Sequence, residues 1–217
     1  MKTRIASLTL LTVCCLMLAV APAMADTLYN NGTFNGNTDA WSIDYGFGVS
    51  DSFTVASGST IQDLHLSYWT AAGNQLTSVD GAFGSSSFGG TYNTYGVSNT
   101  TLLGTNNFGF AVYQSDITSG INVPWSGAGY VSLQNACTAG GCSSGEAQIF
   151  WDENGGGSTA YENSLGSIPS EAFTLTGSST TTTTTTTTGT TPEPSSIMLF
   201  GSGILGLAGV LRRKLTR

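Results

Sequence analysis

Short runs of alternating apolar and polar residues dominate the chain between residues 26 and 176. The clearest runs place apolar side chains two residues apart, at Phe53 and Val55, at Leu64, Leu66 and Tyr68, and at Phe108, Phe110 and Val112. Clusters of Gly, Ser and Asn separate them. Alternation bounded by turn residues predicts short strands. We therefore expect an all-β body, a two-sheet antiparallel sandwich of the jelly-roll type with about eight to ten strands, and one short helical turn near residues 161–165.

The N-terminus follows a different pattern, a single apolar run next to basic residues. Lys2 and Arg4 precede an apolar stretch over residues 5–21, and Ala23-Met24-Ala25 follows it. A basic start, a short apolar core and a small-x-small site are typical of a secretory signal peptide. We predict a signal helix over residues 1–25 that is cleaved after Ala25, the alternative being an uncleaved anchor helix.

The C-terminus carries a second apolar run. Residues 195–211 contain no charged side chain, and Arg212, Arg213 and Lys214 follow directly. As a helix this run would be about 25 Å long, which with snorkelling basic residues is enough for one membrane span. Basic residues stay on the cytoplasmic side. The pattern predicts a single transmembrane helix with Arg212, Arg213 and Lys214 as the membrane stop and the body outside.

Between body and membrane run lies a stretch of low complexity. Residues 177–191 are Ser, Thr and Gly only, with nine consecutive threonines at 180–188. Such a segment has no large apolar side chain with which to form a core. We interpret it as a stalk that separates a body at 26–176 from a tail at 192–217. The alternative is a repeat expansion with no role beyond its length.

The tail has three parts in a fixed order: Pro192-Glu193-Pro194, the apolar helix, and Arg212-Arg213-Lys214. It resembles the sorting tail of PEP-CTERM proteins. The resemblance implies an exosortase-type protease-transpeptidase as partner, and a bacterial host that makes exopolysaccharide. A plain tail anchor is the alternative, but it explains only the helix and the bases.

The body is similar to the β-rich bodies that recur in uncharacterised PEP-CTERM proteins. The matching segments are residues 41–46, 52–55, 151–154 and 163–171. This resemblance implies a β-rich fold. It brings no known activity and no catalytic residues.

The charge of the body limits the kinds of partner that it can bind. Residues 26–191 hold no Lys or Arg, while twelve of the thirteen Asp and Glu fall there. A region near −12 lacks the cationic groups that bind phosphates, so nucleic acid is excluded as a partner. The chain has one histidine, His65, which argues against zinc and against triad catalysis. Outside the cytoplasm, Cys137 and Cys142 are expected to form a disulfide.

Two kinds of ligand fit the remaining residues. Trp69 and Trp125 lie in polar, Gly/Ser-rich surroundings and are candidates for stacking on sugar rings, with core packing as the alternative. Oxygen-bearing side chains at Asn35, Asn37, Asp39 and Asp152 are candidates for a structural calcium site, with ordinary turn chemistry as the alternative. No other cofactor is expected.

These observations predict an exported protein that is anchored in the inner membrane before processing and then resides in the cell envelope or outside the cell. Its body is expected to be non-catalytic, with a structural or carbohydrate-interacting role, and exopolysaccharide is a candidate partner. The alternative is a glycan hydrolase that uses carboxylates from separate strands.

Replacing Pro192-Glu193-Pro194 by three alanines is expected to block processing, because the motif that the sorting enzyme reads is lost. Full-length protein should then accumulate in the inner membrane, as measured by immunoblotting of cell fractions. Replacing Thr183-Thr184-Thr185 of the stalk by alanines is the matched control and should leave processing intact. Unchanged size and release of the first variant would contradict the sorting interpretation.

Overall fold

The computed structural model describes residues 25–71, 73–118, 120–142 and 148–180. All of them belong to Met1–Thr181, the first of two compact units in the chain. The predicted signal peptide, most of the stalk, the sorting motif and the predicted membrane helix lie outside the described residues. Over the described ranges, no helix is long and apolar enough to cross a bilayer.

The described body is built from twelve antiparallel strands. In chain order they are β1 (Asp26–Asn30), β2 (Ala40–Ser42), β3 (Gly48–Thr70), β4 (Leu76–Gly84), β5 (Asn93–Gly96), β6 (Asn99–Thr105), β7 (Ala111–Ile117), β8 (Val123–Thr138), β9 (Phe150–Asp152), β10 (Ala160–Glu162), β11 (Gly166–Ile168) and β12 (Phe173–Ser179). The all-β antiparallel prediction is confirmed, with more strands than expected.

Strand β3 is the centre of the sheet, because both of its edges are paired along most of their length. One edge pairs with β8 over residues 48–61 and then with β7 over residues 64–70. The other edge pairs with β10, β12 and β9 in turn. Hydrogen bonding thus joins all twelve strands into one sheet. The two-sheet sandwich stays a prediction.

A bulge interrupts β3 near its middle. The strand has 23 residues, which would make it about 76 Å long if straight, more than twice the width of a domain of this size. Its register with β8 shifts between Val55 and Ser59, and Gly58 inside that shift has a φ of 75°. Glycine adopts this left-handed backbone conformation without steric strain, and a β-bulge bends the strand that contains it. The bend allows β3 to pair with five other strands of the body.

Inward-facing side chains of β3 and its partners form one hydrophobic core. Val49, Phe53 and Val55 point inward before the bulge, and Leu64, Leu66 and Tyr68 after it. Trp151 of β9 and Phe173 of β12 pack edge to face with ring centroids 5.6 Å apart. The alternation predicted for residues 53–55 and 64–68 is confirmed.

Two local predictions were wrong. Phe108 and Phe110 do not lie on a strand with Val112, because residues 106–109 form a tight turn and β7 begins only at Ala111. No helical turn forms at residues 161–165, because β10 and β11 make a hairpin through a turn at residues 163–165. The side chain of Glu162 accepts the backbone N–H groups of Ser164 and Leu165 and fixes that turn.

The structure also shows where the body ends and which cysteines form its disulfide. Strand β12 continues through Ser179, three residues past the boundary expected for the body, and its last residues pair with Ser59, Thr60 and Ile61. Cys137 and Cys142 are joined by a disulfide, as predicted. It closes a turn in which Thr138 and Gly141 exchange two backbone hydrogen bonds.

Truncating a side chain that faces the centre of the sheet should destabilise the body. Leu64 is 1% exposed, between β7 and β12, so Leu64→Ala is expected to cost about 2–5 kcal/mol of unfolding free energy. Leu102 on β6 is 57% exposed, and the matched Leu102→Ala should stay within about 0.5 kcal/mol of the wild type. Urea denaturation measures both. Equal effects would contradict the assignment of the core.

Candidate functional site

An aromatic cleft lies where β3, β9 and the turn before β7 meet. It has a volume of about 230 Å³ and is lined by Asp39, Ala40, Trp69, Phe108, Phe110 and Phe150. The ring of Trp69 stacks against Phe108 and Phe110, with centroids 5.7 and 6.4 Å away. Phe110 meets Phe150 edge to face at 5.7 Å. The cleft is therefore a preformed apolar surface of four aromatic rings.

Asp152 holds Trp69 and the neighbouring loop in place. Its buried carboxylate accepts the indole N–H of Trp69 at 2.5 Å and the backbone N–H groups of Asn35 and Gly36 at 2.7 and 2.8 Å. Burial raises the pKa of Asp152, and these three hydrogen bonds act in the opposite direction. One carboxylate thus fixes both the aromatic wall and the loop beside it.

Phe108 is presented to solvent by the turn that precedes β7. The side-chain oxygen of Asn106 accepts the backbone N–H groups of Phe108 and Phe110 at 3.1 and 2.9 Å. The backbone N–H of Asn106 donates to the carbonyl of Phe110 at 2.9 Å. This turn leaves Phe108 59% exposed although its ring stacks on Trp69. An exposed aromatic ring on a rigid turn is available for a ligand.

Polar groups border the cleft on the loop between β1 and β2. Asp39 is exposed and lines the cleft. Asn37 is also exposed, and its side-chain oxygen accepts the backbone N–H of Asn107 at 3.4 Å, which links this loop to the Phe108 turn. The cleft thus combines an apolar floor with amide and carboxylate groups.

The structure separates the two tryptophans that the sequence proposed together. Trp69 is a wall of the cleft, although the residue is only 5% exposed. Trp125 lies on β8 and packs on Phe53 with centroids 5.7 Å apart, and its indole N–H donates to the carbonyl of Ala128. Trp125 borders a different surface depression with Ser59, Thr60 and Pro124.

The residues proposed for calcium are brought together only in part. Asp152 contacts Asn35 through a backbone hydrogen bond, the Asn35 side chain donates to the Thr38 hydroxyl, and Asp39 accepts the backbone N–H of Ala40. Within the described part of the chain, no group of three or more His, Cys, Asp and Glu side chains is arranged to hold a metal ion.

A second polar feature lies inside the body and was missed by sequence reasoning. Asp51, Glu153 and Glu171 are 0%, 8% and 0% exposed. Each is two residues from a core aromatic side chain, Phe53, Trp151 and Phe173 respectively, so by strand alternation each carboxylate faces the interior. Glu153 and Glu171 are direct cross-strand partners in an antiparallel bridge. Like charges in that position destabilise a sheet.

Asn31 is the centre of the hydrogen bonds around this interior cluster. Its side-chain N–H₂ lies 3.0 Å from a carboxylate oxygen of Asp51, 2.6 and 2.9 Å from the hydroxyls of Ser158 and Ser170, and 2.6 Å from the carbonyl of Glu171. Asp51 also accepts the backbone N–H of Glu171 at 2.8 Å. Asp51 is therefore well supplied with donors.

Glu171 is different, because its carboxylate is buried without any partner. Neither of its two side-chain oxygens makes a hydrogen bond. Burial, and next the nearby charge of Asp51, raise the pKa of Glu171 well above its ordinary value. Burial also raises the pKa of Glu153, whose carboxylate accepts the indole N–H of Trp41 at 3.3 Å.

Comparison with known proteins concerns the tail. A family model described as the PEP-CTERM protein-sorting motif matches residues 190–214, which confirms the resemblance found in the sequence. The chain is therefore an exported protein that carries a C-terminal sorting signal of this kind. The motif implies sorting through an exosortase and a membrane-anchored C-terminal signal. None of the curated proteins compared matches the chain.

The interior carboxylates predict an unusual pH dependence of stability. Burial raises the pKa of Asp51 from 3.8 to about 6, against the hydrogen bonds that lower it. A raised pKa means that the folded body holds a proton that the unfolded chain releases. The unfolding free energy in metal-free buffer should therefore be highest below pH 4 and fall as the pH rises through about 6, by roughly 3 kcal/mol from Asp51 alone.

Urea denaturation between pH 4 and 7, with a chelator present, measures this slope. Asp51→Asn should reduce it, since the titrating group is gone, whereas Asp26→Asn at an exposed position should leave it unchanged. A free energy that is flat or increases over that range in the wild type would refute the assignment.

Proposed function

We propose that this exported, membrane-sorted protein is a non-catalytic surface or extracellular-matrix component whose body binds neutral polysaccharide in the aromatic cleft. The observation that carries the proposal is the ring of Phe108, which is 59% exposed and stacked on a Trp69 side chain that Asp152 holds in place. Sugar rings present apolar C–H faces that stack on such surfaces, and their hydroxyls need polar groups nearby.

The borders of the cleft supply those polar groups. Asp39 lines the cleft, and Asn37 and Asn107 join the two loops beside it. Amide and carboxylate side chains can accept and donate hydrogen bonds to sugar hydroxyls. Small-molecule sites are usually lined by apolar and aromatic side chains with a few polar groups, and this cleft has that composition.

Charge selects the class of polysaccharide. The region from residue 26 to 191 has no Lys or Arg and twelve acidic residues, so an anionic polymer would be repelled. We therefore expect a neutral glycan chain as ligand. Exopolysaccharide around the cell is the candidate source, since the sorting motif implies export.

A glycan hydrolase remains the second interpretation, and the cleft favours it less. Hydrolysis uses two carboxylates that flank the scissile bond. Among the described residues that line the cleft, Asp39 is the one carboxylate. Assaying reducing-sugar release together with binding separates the two functions, because binding without turnover supports the non-catalytic role.

Phe108→Ala should weaken binding to a neutral polysaccharide by about 3- to 10-fold, since one aromatic stacking contact contributes roughly 0.5–1.5 kcal/mol. The full chain, purified in a detergent without a sugar head group, is titrated with a panel of neutral and acidic polysaccharides by calorimetry. Folding should be unaffected because the side chain is exposed.

Leu165→Ala is the matched control, because Leu165 is 69% exposed on the turn between β10 and β11. It removes a similar exposed apolar group and should bind as the wild type does. Absence of binding to every polysaccharide in the panel, or equal losses in the two variants, would overturn the proposal.

A further inference from the structure

The side-chain amide of Asn31 is surrounded by more oxygen atoms than its two hydrogens can serve. Its nitrogen lies 3.0 Å from a carboxylate oxygen of Asp51 and 2.6 Å from the carbonyl of Glu171. The hydroxyls of Ser158 and Ser170 lie 2.6 and 2.9 Å from the same nitrogen. A side-chain amide has two N–H donors, so four oxygens share them. Asn31 is only 4% exposed, which keeps the two hydroxyls against the amide.

Of these two hydroxyls, the one on Ser158 is positioned as a nucleophile. It donates its hydrogen to the Asp51 carboxylate at 2.9 Å, whereas the Ser170 hydroxyl donates to the neutral amide oxygen of Asn154 at 2.7 Å. Because an amide C–N bond is about 1.33 Å long, the Ser158 oxygen lies less than about 4 Å from Cγ of Asn31. A hydroxyl bonded to a carboxylate base and held beside an acyl carbon is the arrangement of nucleophilic catalysis.

Two neighbouring groups assist attack on the same carbon. The Tyr29 hydroxyl donates to the side-chain oxygen of Asn31 at 2.9 Å, which polarises the carbonyl and stabilises negative charge that develops on its oxygen. Asp51 contacts both the Ser158 hydroxyl and the Asn31 nitrogen. Burial raises the pKa of Asp51 to about 6, which suits a group that takes up a proton and then releases it near neutral pH.

We propose that Ser158 and Asn31 form an intramolecular ester, which joins the residue after β1 to the loop between β9 and β10. The Ser158 Oγ attacks Cγ of Asn31, and the hydroxyl proton passes to Asp51. The Oγ–Cγ bond forms and the Cγ–Nδ2 bond breaks. Asp51 returns the proton to the departing nitrogen, and ammonia leaves. The reaction needs no co-reactant and changes no oxidation state.

The composition of the body makes a hydroxyl the available nucleophile. Residues 26–191 contain no Lys, so a cross-link between an amine and an amide cannot form there. The backbone nitrogen of Gly32 is a competitor, since its attack on Asn31 would give a succinimide. That N–H donates instead to the side-chain oxygen of Asn30 at 2.8 Å. The geometry therefore favours Ser158.

The ester would secure a strand at the edge of the sheet. Among the described strands, β1 pairs with β12 alone. Asn31 directly follows β1 and lies 127 positions before Ser158 in the chain. A covalent bond between them would prevent β1 from separating from the body, whereas the disulfide closes only a short turn. This inference does not depend on polysaccharide binding in the cleft.

Peptide mass spectrometry of the purified full chain tests the cross-link. The protein is unfolded and digested with a protease that cuts after Asp and Glu, which places Asn31 in peptide 27–39 and Ser158 in peptide 154–162. In the wild type the two peptides should be recovered as one linked species, lighter than their combined mass by the ammonia that is lost, about 17 Da. Mild alkali should separate them, because an ester hydrolyses more readily than an amide.

Ser158→Ala and Asp51→Asn should each yield separate peptides, because the first lacks the nucleophile and the second lacks the base. Ser170→Ala is the matched control, since it removes the other hydroxyl that contacts Asn31, and it should keep the linked species. Near-ultraviolet circular dichroism verifies that each variant is folded.

Separate peptides from the folded wild-type protein would overturn the proposal. So would a linked species that persists in Ser158→Ala. Loss of ammonia confined to peptide 27–39 would show a succinimide at Asn31 in place of the ester, and would overturn it as well.

Discussion

The pairing of both edges of β3 is the interaction on which the rest of the body depends. One strand of 23 residues supplies hydrogen-bond partners to β7, β8, β9, β10 and β12. The strands that carry the cleft and those that carry the interior carboxylates are therefore positioned by the same backbone. The Gly58 bulge makes this geometry possible, because a straight strand could not reach both groups.

The lack of cationic side chains shapes both polar sites. Without Lys or Arg, each buried carboxylate must be neutralised by N–H donors, by a proton or by an ion from solution. Asp152 is satisfied by N–H donors alone, two from the backbone and one from Trp69. Asp51 is satisfied largely by donors, and Glu171 by none. The same lack of cationic side chains therefore leaves Asp152 fully hydrogen-bonded beside the cleft and leaves Glu171 buried without a partner.

Features that depend on local sequence patterns could be predicted from the sequence alone. Alternation located the core of β3, the predicted export of the body's two cysteines, Cys137 and Cys142, indicated the disulfide, and the ordered motifs of the tail indicated the sorting motif. The exposure of Phe108 was missed because the Asn106 turn overrides an alternation that looks like a strand. The cluster of Asp51, Glu153 and Glu171 was missed because it joins residues 102 and 120 positions from Asp51, and only strand register brings them together. An acidic residue between two inward-facing apolar residues, as in Val49–Phe53, was the one available signal.

The end of β12 also sets how the body resists a mechanical pull from its tether. Strand β12 lies between β1 and β3 and carries the chain directly into the threonine stalk, and Thr180 is still bonded to the carbonyl of Gly58. A force along this strand loads the hydrogen bonds on both of its edges at once, in shear. It cannot open them one by one, as it would in a hairpin pulled at its free end. A protein held by its tail would thus transmit tension through a strand that is paired along both of its edges.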